Sequence, residues 1–158
     1  MESRSMMLEH GESQLFYNEQ VLLYAGRGPW NEEAMLPSLQ KTIEHLNQFP
    51  QQRPWAQLSC LFGESLMSPS VFNVFVDYCH LRKKNGLVFT AISIQDSEIK
   101  NTIKQQLTSA YRLTNIDFEF FDSISDAQKC LQEKGFYIDN DELHSFLKAC
   151  KFAPTDYI

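Results

Sequence analysis

Three serines crowd one corner of the chain. Ser65, Ser68 and Ser70 lie in "LFGESLMSPSVFNVF", Leu61 to Phe75, between two apolar segments. A serine hydroxyl can attack a carbonyl, accept a phosphate or cap a helix, and only the first of these needs a base beside it. The histidines His10, His45, His80 and His144 are isolated in sequence, and none is placed to serve Ser68 or Ser70. His80 falls on a polar helix stripe and reads as a solvated side chain. No GxSxG elbow, P-loop, GxGxxG loop, HExxH helix or EF-hand loop is present. The serine hydrolase reading is therefore disfavoured, and the chain reads as a non-enzyme with no catalytic residue, no cofactor and no metal site.

Other polar groupings read as structural. The acidic run Asp139 to Glu142 lacks the calcium-loop ligand pattern and its glycine, and reads as a helix cap. Cys60, Cys79, Cys130 and Cys150 are far apart with no CxxC, so they encode neither a zinc ribbon nor a redox dithiol. They read as reduced, mostly buried thiols. "GRGPW", Gly26 to Trp30, could cradle an anion on backbone amides, but Pro29 removes one amide and Arg27 is the sole nearby cation. A turn with Trp30 folded over the domain edge is the simpler reading. Trp30, Phe49 and Trp55 could line an apolar surface or pocket at one end of a sheet.

The elements that must position these residues follow from hydrophobic period. Ser13 to Glu19 and Gln20 to Gly28 read as two strands in an antiparallel hairpin. A helix follows, with Asn31 as cap, Glu32 and Glu33 in its first turn, and Pro37 predicting either a kink or a start near Leu36. Trp55 to Gly63 is an apolar strand of the kind buried on both faces. In the next helix Asn73, Asp77, His80 and Lys84 share one face, and the rest through Leu81 is apolar, which implies deep burial or a partner. Gly86 ends it. Leu87 to Ile94 is the strongest buried strand; the helix after it is capped by Asp96 or Ser97. A strand around Ile116 to Phe120 precedes a short helix with Ser125 and Gln128 as a capping box and Gly135 as its stop.

The expected fold is thus α/β: a mixed, mostly parallel sheet of about five strands with an N-terminal antiparallel hairpin, four packed helices and one C-terminal helix. Leu143, Phe146, Leu147 and Cys150 share one face of that last helix, which either covers the domain or meets another subunit as a homodimer. The 158 residues fit one domain, and no internal repeat or linker divides them. Net charge is -6, so nucleic acid is an unexpected partner. No apolar run approaches the roughly 18 residues of a membrane span, and no signal peptide is evident, so a cytoplasmic protein is expected.

The element order, "GPWN" opening the first long helix, and the strand, serine corner and buried helix in the middle resemble the STAS domains. Within them the chain is most similar to the bacterial SpoIIAA-like branch, the anti-sigma factor antagonists. The resemblance covers residues 12–136, with 1–11 as a flexible N-terminus and 137–158 as a helical extension. It implies a non-catalytic role in protein recognition or small-molecule sensing. In that family a hydroxyl at the start of the central helix is phosphorylated by a partner kinase, and the matching stretch here is Ser68-Pro69-Ser70-Val71-Phe72, without the family's aspartates. Ser68 and Ser70 are carried over as corner hydroxyls near the family's site, the candidate phospho-acceptor-like residues. From the residues themselves, Ser68-Pro69 is a helix start and Ser70 is the hydroxyl to test for modification.

Two functions follow as expectations. The first is a protein-interaction module that binds an unidentified protein through the serine corner and the central helix, with Trp30, Trp55 and Phe72 as candidate contact or pocket residues. The alternative is a carrier or sensor of a small hydrophobic, lipid-like ligand.

Overall fold

The computed structural model describes residues 11–18, 20–47 and 53–153. Strands β1 (Glu12–Asn18) and β2 (Val21–Arg27) pair antiparallel as the expected hairpin, Asn18 opposite Val21. From β2 onward every strand is joined to the next by a helix: α1 (Glu32–Leu46), β3 (Trp55–Phe62), α2 (Pro69–Lys84), β4 (Leu87–Gln95), α3 (Lys100–Leu113) and β5 (Asp117–Phe121). Helices α4 (Ile124–Glu133) and α5 (Asn140–Ala149) close the described chain. The sheet order is β1-β2-β3-β4-β5, with β2 to β5 parallel. This is the expected α/β layout.

Successive crossovers that step the same way across a sheet and share the right hand must lie on one face. Accordingly α1, α2 and α3 share one apolar core with Leu22, Trp55, Leu61, Ile92 and Ile94. The opposite face, with Leu23, Ala56, Leu58, Cys60 and Phe62, is covered by α4 and α5. The apolar face of α5, Leu143, Phe146 and Leu147, is buried in that second core, so α5 covers the domain and its apolar stripe is used within the chain.

Local signals place most helix ends. Asn31 caps α1 by accepting from Ala34 N at 2.9 Å, and the helix runs from Glu32 through Pro37 without restarting at Leu36. A strong cap with two carboxylates behind it outweighs one missing hydrogen bond at the proline. Two other expected caps are corrected, and a third holds in position only. Asp96 has φ 55° and pairs with Arg27, Ser97 accepts from Ile99 N ahead of the helix, and α3 begins at Lys100 without a side-chain cap. Helix α4 is capped by Ser123, accepting from Asp126 N at 3.0 Å, two residues before the expected Ser125. Asp139 occupies the N-cap of α5 but makes no side-chain capping bond. Gly86 and Gly135 do take the left-handed backbone that ends α2 and α4 (φ 107° and 90°). Among the described residues no helix is long and apolar enough to cross a membrane, and no group of histidine, cysteine, aspartate and glutamate is placed to hold a metal ion.

Candidate functional site

The two faces of the central strands differ in chemistry. Alternation sends Gln57 and Ser59 of β3 to the side of α1, α2 and α3, and the parallel register sets Tyr24 opposite Ser59 and Gln57 opposite Thr90. Four polar side chains thus meet at the middle of a sheet whose flanks are apolar. Gln57, Ser59 and Thr90 are all buried. Helix α2 lies over them. Its inward stripe is Val71, Phe75, Cys79 and Arg82, spaced at four, four and three, so a guanidinium occupies a position where the period calls for an apolar residue.

Arg82 is 4% exposed. Its Nη1 donates to Gln57 Oε1 at 2.8 Å and its Nη2 donates to Cys79 Sγ at 3.2 Å. The cation also lies 5.4 Å from the centre of the Phe75 ring. Its Nε–H has no hydrogen-bond partner among the described residues. Among the described residues no carboxylate pairs with it; the ion pair of Arg27 with Asp96 lies elsewhere, beyond the ends of β2 and β4. Burial alone would lower the Arg82 pKa, but the hydrogen bond to Cys79 and the attraction of Cys79, Tyr111 and Tyr24 once they ionise at high pH outweigh it and hold the pKa above its ordinary value. The charge is fixed. Burial pushes the Tyr24 phenol up to about 12, opposed by its contact with Ser38 and by Arg82, and it raises Tyr111 as well. Both phenols are therefore neutral donors at physiological pH.

A cavity of about 60 Å³ opens beside this cluster, between the sheet and the three helices. Its polar wall includes Arg82, Gln57, Ser59, Tyr24 and Ser38; its apolar wall includes Leu22, Trp30, Met35, Leu39, Leu61, Met67 and Leu107. Space on this scale admits about four or five waters, or one small organic group. Trp30 forms part of the apolar wall. Gly26 makes room for its ring, since a Cβ there would stand 2.9 Å from the ring and 2.8 Å from the Tyr24 hydroxyl.

The serine corner forms the rim of the same cavity, and its three hydroxyls have different fates. Ser65 is buried, donates to Phe62 O at 2.9 Å and accepts from Gly28 N at 3.2 Å, which ties the corner to the "GPW" turn. Trp30 N donates to Leu66 O at 2.9 Å across the same seam. The Gln106 side chain of α3 clamps both backbone groups of Met67, accepting from its N at 3.0 Å and donating to its O at 2.8 Å. Ser68 caps α2, accepting from Val71 N at 3.4 Å, with Pro69 as the first helical residue. Ser70 lies 3.3 Å from Ser68, and both hydroxyls face outward, away from the cavity.

The expected aromatic group is not brought together. Trp30 lines the cavity, whereas Trp55, fully buried, begins β3 at the far end of the sheet and donates to Asn85 O at 2.9 Å. Phe49 lies outside the described residues. Phe72 is half-buried against the helix-side core. Arg27, the cation of the "GRGPW" anion reading, is committed to Asp96 and to Phe152 O. His45, His80 and His144 lie outside the cavity lining, and His10 lies outside the described residues. Cys60, Cys79 and Cys150 are buried free thiols, as expected, and Cys130 is half-buried.

The residues that sequence reasoning missed are Arg82, Gln57, Ser59, Thr90 and Tyr24. Two signals were present: polar residues two apart in a strand otherwise apolar enough for burial, and an arginine on the apolar stripe of a helix. No family model, curated protein or solved structure matches the chain.

Proposed function

We propose that this protein is a non-catalytic binding module, a sensor or carrier for a small molecule held in the cavity beside Arg82. The observation that carries this reading is a fully enclosed guanidinium with an unpaired Nε–H and no carboxylate partner among the described residues. Burying a charge costs several kcal/mol unless it is paired and hydrogen-bonded, and a fold gains nothing structural from a cation left incomplete. A ligand that completes it supplies the reason. The apolar wall opposite gives such a ligand a second anchor. The volume sets its size, well below the roughly 300–1,000 Å³ of sites for drug-sized molecules, which favours a small compound over a lipid. Native mass spectrometry of freshly purified protein, with thermal denaturation against a library of small metabolites, tests the reading. An added mass or a ligand-induced rise in Tm that Ser38→Leu abolishes by filling the cavity is the expected result. A clean apo mass and no shift with any compound would sink it.

A second reading, recognition of a protein through the serine corner as the STAS resemblance implies, is favoured by the exposure of Ser68, Pro69 and Ser70 beside half-buried Phe72. Affinity capture with the wild type and with Ser70→Asp and Phe72→Ala separates it from the first. A partner lost in both variants supports it, and capture unaffected by either removes it.

A further inference from the structure

The cavity also carries information about the charge of its occupant, and this step rests on the small-molecule reading above. Arg82 is the one charged residue among the described residues that line it. The remaining polar lining offers hydroxyls and an amide: Tyr24, Tyr111, Ser38, Thr42, Ser59 and Ser65 can donate or accept, and the Gln57 Oε1 is already taken by Arg82. A cation would meet an uncompensated like charge here. A neutral ligand would leave the buried guanidinium without a counter-charge. A phosphate ester carries close to two charges at neutral pH and would bring one negative charge more than the wall can neutralise. What matches is a single negative charge with at least two acceptor lone pairs in a plane, which is the geometry a guanidinium edge prefers.

The position of the free donor sharpens this. Gln57 takes an N–H of one terminal nitrogen and Cys79 an N–H of the other, the Tyr111 phenol stands beside the guanidinium, and the Nε–H is the donor left without a partner among the described residues, so the Nε edge is the one open to a ligand. Leu39, Leu61 and Met67 line the same space, and a cavity of about 60 Å³ leaves room for only a few carbon atoms beyond the charged group. We propose that the cavity binds a small organic monocarboxylate, its carboxylate on the Nε edge of Arg82 and a short apolar tail against Leu39, Leu61 and Met67.

Titration calorimetry of the full chain with acetate, propionate, butyrate and isobutyrate, each beside its primary amide and at constant ionic strength, tests the proposal. At least one acid should bind one to one, its amide about ten-fold more weakly or worse, and Arg82→Met should lose the acid by a similar factor. Sodium chloride and inorganic phosphate serve as the competing anions and should not displace the acid at equal concentration. A second readout needs no variant: the Arg82 Nε–H resonance in the wild-type protein should shift on adding the acid and stay in place on adding the amide. If acid and amide bind alike, if Arg82→Met binds the acid undiminished, if the Nε–H resonance does not respond, or if chloride or phosphate displaces the acid, the monocarboxylate assignment is overturned while a small-molecule site remains. If neither acids, amides nor any library compound binds, the binding-module reading fails with it.

Discussion

Replacing Arg82 by methionine should make the ligand-free protein more stable. The guanidinium is 4% exposed and faces no carboxylate among the described residues, so folding strips its hydration at a cost of several kcal/mol. Three contacts offset part of that cost. The charged hydrogen bond to Gln57 Oε1 at 2.8 Å contributes about 1.5–3 kcal/mol, the Phe75 face about 0.5–2 kcal/mol, and the bond to Cys79 Sγ rather less. Methionine keeps most of the stem packing and removes the charge, but it strands the Gln57 carbonyl, a loss of about 1–3 kcal/mol. The Gln57 amide nitrogen keeps its bond to Ser59 Oγ at 2.9 Å, so the side chain stays anchored. Exchange of buried ionic groups for apolar ones gains about 1–4 kcal/mol, and the stranded carbonyl takes back part of it, so the net expectation is a gain of about 1 kcal/mol. For a chain of this size that is a rise in Tm of about 3 °C. Urea unfolding and calorimetry in carboxylate-free buffer measure it. A loss of more than about 1 kcal/mol would show that the guanidinium is a structural strut and not an incomplete buried charge kept for a ligand.

Three further expectations follow from the corner and from the buried acids. Gly28→Ala should cost about 1–3 kcal/mol in urea unfolding, because a Cβ there would sit 2.6 Å from Ser65 Cα and 2.8 Å from Glu64 O, both backbone; a neutral effect would mean that the seam gives way easily. Ser68→Ala should cost only about 0.5–1 kcal/mol, since its capping bond is long at 3.4 Å and Pro69 still sets the helix start, and a loss above about 2 kcal/mol would show that the cap does more. Burial raises the pKa of Tyr24, Tyr111, Cys60, Cys79 and Cys150 in the folded state, so the native protein holds protons that the unfolded chain releases. That contribution is fully present below the ordinary thiol value of 9.0 and is lost as pH rises towards about 12. Circular dichroism should show the urea midpoint falling steadily over that window, and a flat midpoint would contradict the burial of these groups.

The fold was legible wherever one signal dominated. Leu87 to Gln95 has no competing helical period, Ser68-Pro69 is a helix start by two independent criteria, and Gly86 and Gly135 each end a helix in the backbone region that glycine favours. Errors arose where two signals competed. The spacing of Ser125 and Gln128 fits a capping box, but starting α4 at Ile124 buries Ile124 and turns Gln128 inward to Ile138 O and Asn140, so tertiary packing moved the cap to Ser123. The cavity was half legible. Gln57 and Ser59 announce a polar face within β3, and Arg82 breaks the stripe of α2, yet joining them requires the register that sets Gln57 opposite Thr90 and the crossover that lays α2 above both. Those are relations between segments far apart in the chain, and neither period nor composition carries them.

The asymmetry of β3 separates what keeps the protein folded from what it is proposed to bind. Towards α4 and α5 the strand presents Ala56, Leu58, Cys60 and Phe62, each with no exposure, in a core of apolar side chains. Towards α1, α2 and α3 its middle presents Gln57 and Ser59 to a cavity. Neighbouring residues should therefore respond differently to truncation. Leu58→Ala leaves a hole that packed surroundings cannot fill and should cost about 2–5 kcal/mol. Ser59→Ala removes a hydroxyl beside a space already roomy enough for water, which can take over the bond to Gln57, so its cost should stay near 1 kcal/mol. Urea unfolding of the two variants makes the comparison directly. Equal losses would mean that the space beside Ser59 is closed to water and packed like the opposite face. A large loss at Leu58 with a small one at Ser59 fits a sheet held together by one side, leaving the other free to keep a charge that stability alone would have removed.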